Sequence, residues 1–330
     1  MDEQYSRVHR DAGQEAVRES GRKLKYSRIR YRRIFLIVTD LLGMGGAPDA
    51  PEYGDAAADT VTRLAGSREK PDIRNLRNLG LFNMKRIPGV DPITYMMGRY
   101  MPLSRKSEGT DLAAGFRELM GILPEEEAET PVGNTVPEAS ARNTVLEALA
   151  EKSVPEIFPA KTIPEAMKEA GLDFLTAGSV GEAFNAAESA DCASGSADCL
   201  CRARGMEAMD RVLERMKQDF HGLCFADVGE SEVTPAALER FDRALGKLMR
   251  EMNHNDLLLV TAVRGNDPAS PEKDGSRERV PLVAWSPRFR TGGPLPGAST
   301  LAIVGATVCD NFGVALPEGA VGTSRWDDFW

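Results

Sequence analysis

Histidine is scarce: His9, His221 and His254 are the only three in 330 residues. That excludes a histidine-rich metal centre before any motif is considered. Cysteine is limited to five, and Cys192, Cys199 and Cys201 fall in "DCASGSADCLC" at a spacing that matches no common zinc pattern. They read as reduced thiols in a cytosolic loop. No apolar run approaches the ~20 residues of a membrane span, and the N-terminus lacks an apolar leader core. The chain is therefore expected to be cytoplasmic, with no membrane partner. A basic surplus is also missing. The formal net charge is −9 and the pI about 5.1, which argues against nucleic acid as a partner.

What is present is ample core material, 42% apolar residues, in alternating strand-like and helical segments. "RIFLIVTD" (33–40) reads as a buried parallel strand that ends in Asp40. Beyond it, helix readings fall on "ADTVTRLAG", "IRNLRNLGL", "TDLAAGFRELMGIL", "ARNTVLEALAEK", "GMEAMDRVLERMKQ" and "TPAALERFDRALGKLMREM". Thr234 and Pro235 serve as cap and first turn of the last of these. "TIPEAMKEAGLDFLTAG" reads as helix, glycine stop, strand, and "GLCFADVG", "DLLLVTA" and "VPLVAWSP" as further strands. "TLAIVGATVCDNFGV" closes on a helix. This alternation predicts an α/β fold with a mainly parallel sheet. Residues 1–33 form a polar, basic extension. Residues 34–121 form the first part of the core, 122–161 a Pro-rich polar linker or reduced module, and 162–330 the second part.

Chemistry in such folds gathers at the carboxyl ends of the parallel strands. Asp40 stands at one such end. At another, "LLLVTAVRGNDPASP" (257–271) runs into the turn Gly265-Asn266-Asp267-Pro268, with Val263 and Arg264 at the corner. One is inert and the other permanently cationic, an odd pair where catalysis would be expected.

The stretch "RRIFLIVTDLLGMGGAPDAPEYGD", with Gly46 to Ala50 and Glu52 to Asp55, resembles the N-terminal signature of bacterial phosphopentomutases, members of the alkaline phosphatase superfamily. "RGNDPASPEKDGSRERVPLV" matches the second signature of that family in spacing. "GNTVPEAS", "KEAGLDFLTAG" and "GMEAMDRVLERM" have counterparts too, so the resemblance spans roughly residues 33–325. It implies an alkaline-phosphatase-like core with a cap domain, here strongly reduced within 122–161. It also implies phosphoryl movement between the 1- and 5-positions of ribose or deoxyribose. The family uses two Mn²⁺-type ions and a phosphothreonine. A threonine hydroxyl is a weak nucleophile that a metal must help deprotonate.

Carried over residue by residue, the resemblance puts Leu112 at the nucleophile, in a register set by Gly115, Glu118 and Gly121. The metal positions become Asp40, Gly229, Val263, Arg264 and Gly275, of which Asp40 alone is still a ligand. Asp227 persists beside Gly229, and Ser179 stands where the family has a substrate lysine. Asp267, Asp274, Arg277 and Glu278 also persist. One carboxylate cannot hold two divalent ions, so no cofactor is expected. The expectation is a phosphopentomutase-like protein without catalysis, acting as a binding or regulatory partner, with Arg264 paired to Asp40. The alternatives are a retained isomerase acting on (deoxy)ribose phosphates, or a sugar-phosphate binder using Arg264, Arg277 and Arg117. The partner is then a sugar phosphate or a protein.

Overall fold

In the computed structural model, residues 30–123, 161–184, 203, 205–229, 233–270 and 275–329 are described. The strands among them are β1 (Arg33–Val38), β2 (Arg99–Leu103), β3 (Asp173–Ala177), β4 (Gly222–Asp227), β5 (Asp256–Thr261), β6 (Val280–Trp285) and β7 (Gly293–Pro294). They form one sheet in the order β3-β4-β1-β5-β6-β2-β7. β3, β4, β1 and β5 run parallel, while β6 is antiparallel to both of its neighbours, β5 and β2. The helices are α1 (Thr60–Ala65), α2 (Arg74–Leu79), α3 (Leu112–Leu119), α4 (Ile163–Glu169), α5 (Val180–Ala183), α6 (Met206–Met216), α7 (Pro235–Glu251) and α8 (Ile303–Phe312).

The four parallel strands follow from their sequences. β1, β4 and β5 are largely apolar and buried at every position, as strands covered on both faces must be. α7 starts where expected: the Thr234 hydroxyl accepts from Ala237 N and Pro235 opens the first turn. α4 carries a full capping box between Thr162 and Glu165. Gly171 then turns the chain at φ +71° into β3.

Two strands have no clear signal in the sequence. β2 contains Pro102, which lies opposite Pro281 of β6. A proline inside a short apolar segment argues against a strand. β7 is two residues long and carries no periodicity to read. Residues 1–29 of the expected basic extension, the helix expected at "ARNTVLEALAEK", most of the reduced cap at 122–161, the cysteine-rich loop and Asp274 lie outside the described residues. The end of the extension is corrected, since Tyr31 is buried in the core and Arg33 opens β1 paired with Asp256. Among the described residues no helix is long and apolar enough to cross a membrane. Cys224 and Cys309 are buried free thiols, and burial pushes the pKa of both up to about 12.

Candidate functional site at the carboxyl edge

Parallel register brings the ends of β3, β4, β1 and β5 side by side. Val38 lies level with Asp227 on one flank and Thr261 on the other. The residues at or just past these ends are Ser179, Asp227, Asp40 and the Val263–Arg264 pair. The sheet therefore gathers at one edge the positions that the sequence singles out.

Asp40 is 7% exposed. Its Oδ2 accepts from Asn266 Nδ2 at 2.9 Å, and its Oδ1 is buried without a hydrogen-bond partner. Burial raises its pKa above the usual carboxylate value, against the lowering effects of the Asn266 hydrogen bond and of the Arg264 charge. The bidentate Arg264–Asp40 pair expected from sequence is not formed. Arg264 instead sends Nη1 to the Thr110 carbonyl at 3.0 Å and acts on Asp40 only through space. An amide two residues further along the turn reaches the carboxylate in its place.

Asp227 is also buried and bound internally. Ser179 Oγ donates to its Oδ2, and Gly229 N donates to its Oδ1 at 3.0 Å. The position that would offer a lysine to substrate thus caps a carboxylate with a hydroxyl. A Cβ on Gly229 would lie 3.2 Å from Asp227 Oδ1 and 3.3 Å from Asp40 Oδ1. The two carboxylates therefore approach each other across a residue with no side chain.

Leu112 opens α3 and packs against the core edge. It has no atom that could accept a phosphoryl group. Asp111 caps the helix, its side chain accepting from Ala114 N at 2.8 Å, and Thr110 precedes it.

The arginines expected to gather for an anion are placed differently. A guanidinium has five N–H donors, and Arg277 commits all of them inside the protein. Nε and Nη2 reach Asp49 at 2.9 and 2.6 Å. Nη1 reaches the Ser107 and Gly109 carbonyls, and Nη2 also reaches the Arg105 carbonyl. Its guanidinium lies 5.0 Å from the centre of the Tyr53 ring. With every donor bonded within the protein, Arg277 clamps the loops around it. Arg117 sits in the last turn of α3 and does not line the cleft that Arg264 and Arg277 share. Arg105, which carries no motif signal in the sequence, lines it instead. Desolvation of the buried Arg105 guanidinium, with the charge of Arg277 beside it, pulls its pKa down to about 10 despite Asp111. The cleft has a cavity volume of about 0 Å³, against the ~300 Å³ at the lower end of small-molecule sites.

The retained acidic residues hold loops. Glu278 accepts from Gly45 N, Thr60 N, Thr60 Oγ1 and Ser276 Oγ. Asp267 takes the Asx-type contact from Ala269 N at 2.9 Å that its turn position suggests, and also binds Arg63 and Asp59 N.

Among the described residues, the donors gathered at this edge are too few for a pair of divalent ions. Among the described residues no group of three or more His, Cys, Asp or Glu side chains could hold a metal. Three of the four carboxylate oxygens of Asp40 and Asp227 already accept hydrogen bonds from protein donors. The single orphaned oxygen of Asp40 is one ligand, and the charge of Arg264 already acts on its carboxylate.

A mostly parallel sheet with carboxylates gathered at its carboxyl edge defines the class, and likeness to known proteins supplies the family. The model of the Metalloenzyme superfamily matches residues 32–316, and the chain belongs to that superfamily. Phosphopentomutase of Agathobacter rectalis is 25% identical over 395 aligned positions, covering 89% of this chain and 98% of its own length. Phosphopentomutase of Clostridium botulinum (strain Alaska E43) is 26% identical with the same coverage. That alignment exceeds the 330 residues of this chain, so these relatives carry residues that it lacks. A 2-O GAG sulfatase superposes with a TM-score of 0.51 at 10% identity, over 91% of this chain and 74% of its own. At that identity the likeness is one of fold, the α/β, alkaline-phosphatase-like architecture expected from sequence.

Proposed function

We propose that this chain is a phosphopentomutase-like protein that has given up phosphoryl transfer and acts as a binding or regulatory partner without a metal cofactor. The observation that carries the reading is the state of the carboxyl edge. Protein donors occupy the carboxylates Asp40 and Asp227, and a leucine side chain stands at the nucleophile position. Two-metal transfer needs ions that clamp the attacking and leaving oxygens. Carboxylates that already accept from protein donors at three of their four oxygens do not offer that clamp. Localisation in the cytoplasm belongs to the same proposal, as does a sugar phosphate or a protein as the partner.

The competing reading is a retained isomerase for (deoxy)ribose 1- and 5-phosphates. It is favoured by the near-complete coverage of the phosphopentomutase relatives. Fold and family do not by themselves carry chemistry. Conversion of ribose 1-phosphate to ribose 5-phosphate in the presence of Mn²⁺, with elemental analysis of the purified chain, separates the two. The expected result is no turnover above a buffer blank and no stoichiometric manganese. Turnover that an Asp40→Asn variant loses would establish the isomerase reading instead.

A further inference from the structure

Val263 and Arg264 are each seated against a glycine. A Cβ on Gly115, within α3, would fall 2.5 Å from Val263 Cβ and 2.9 Å from its Cγ2. A Cβ on Gly275 would fall 2.5 Å from Arg264 Cδ, 2.7 Å from Nε and 2.9 Å from Cζ. Real Cβ atoms do not approach other atoms so closely, because interiors are packed to van der Waals contact. Gly275 also has φ +107°, a conformation that side-chain-bearing residues rarely adopt. The stem and head of Arg264 therefore lie across the space from which a side chain at position 275 would start.

We infer that Val263 and Arg264, with Gly115 and Gly275 as their sockets, form an interlocked plug that closes this corner to a metal ligand at position 275. The inference rests on the proposal that the edge no longer holds ions. The plug ties three segments together. The turn after β5 supplies the pair, α3 supplies one socket, and the stretch from Gly275 to Glu278 supplies the other. Arg264 adds a tie by donating to the Thr110 carbonyl just before α3. A side chain at 275 therefore needs the Arg264 side chain to move aside, which couples the two positions.

A double-mutant cycle on the full chain tests this. Gly275→Ala, Arg264→Ala and the double variant are compared by thermal unfolding. The cost of the positive φ is common to both backgrounds and cancels, leaving the steric conflict with Arg264. Gly275→Ala is expected to lower the midpoint by ~5 °C with Arg264 present, and by clearly less in the Arg264→Ala background. Equal losses in the two backgrounds would overturn the interlock. If Gly275→Ala yields no folded protein, recovery of folded protein by the double variant supports the plug, and failure to recover it counts against it. Calorimetric titration of the unaltered chain with MnCl₂ is the separate arm. Stoichiometric binding there would overturn the metal-free reading, while the steric coupling measured by the cycle would still stand or fall on its own.

Discussion

Glu118 shows how a retained motif residue changes meaning once its partners are known. Its carboxylate is fully buried and accepts from Lys106 N, Ser107 N, Leu301 N and Thr300 Oγ1. It joins α3 to the loop after β2 and to the segment just before α8. In sequence it only helps to set the register of a degenerate motif. Glu118→Gln replaces an acceptor-only oxygen with an amide that faces N–H donors. It is expected to cost about 2–4 kcal/mol, read as a lower urea midpoint with an unchanged slope. Asp267 gives a prediction in pH. Although its burial works in the opposite direction, the Arg63 and backbone hydrogen bonds hold its folded pKa below the ordinary aspartate value of 3.8. A depressed carboxylate contributes stability that is present above the unfolded pKa and lost as pH falls through the folded one. The stability gap between the unaltered chain and Asp267→Asn should therefore be widest near neutrality and narrow below about pH 3.8. A gap that does not change with pH would mean that Asp267 acts by shape alone.

Helix α2 poses a problem that its own sequence does not solve. Ile73 at its N-cap offers no side-chain acceptor, so the first N–H groups need partners from elsewhere. Asp242 of α7 supplies them: Oδ1 accepts from Leu76 N at 2.7 Å and Oδ2 from Asn75 N at 3.2 Å. The Asn75 amide returns a bond to the Asp242 carboxylate at 2.8 Å. Asp242→Ala should cost about 1–3 kcal/mol and loosen α2 selectively, seen as faster amide exchange at Asn75 and Leu76 than elsewhere in the helices. Uniform loss of protection would place the effect in the core rather than at this cap. The same long-range logic explains what is and is not legible in the sequence. Periodicity and local caps announce the parallel strands, α4 and α7, because the information lies within a few residues. The Arg277–Asp49 clamp and the Asp242 cap join residues more than 160 positions apart. Arg264 stands out in the sequence as a strange occupant of the corner, yet the letters point to Asp40 as its partner rather than Thr110. Distance to Thr110 is a property of the turn, not of the letters.

Taken as a whole molecule, the sheet is braced at both ends by buried charged and polar groups. At the amino end the buried pair Arg33–Asp256 closes with Nε and Nη2 each at 2.8 Å from the carboxylate, and the Arg33 guanidinium lies 5.4 Å from the centres of both the Phe35 and Phe220 rings. At the carboxyl end the Asn266, Ser179 and Gly229 donors occupy the carboxylates, and Glu278 and Arg277 bind the surrounding loops. A fold that depends on a bound ion gains stability from it as RT ln(1 + [L]/Kd), about 2.7 kcal/mol at a hundredfold excess over Kd. For a domain of this size that would move the thermal midpoint by several degrees. If protein donors satisfy the edge, dialysis against EDTA should leave the midpoint unchanged, and subsequent millimolar Mn²⁺ or Mg²⁺ should not raise it. A rise that saturates with metal, and that Asp40→Asn abolishes, would mean that the orphaned Oδ1 of Asp40 still recruits a cation and that the edge is only partly converted. A flat response in both directions, with no mutase turnover, would support the proposal that the edge works without a metal.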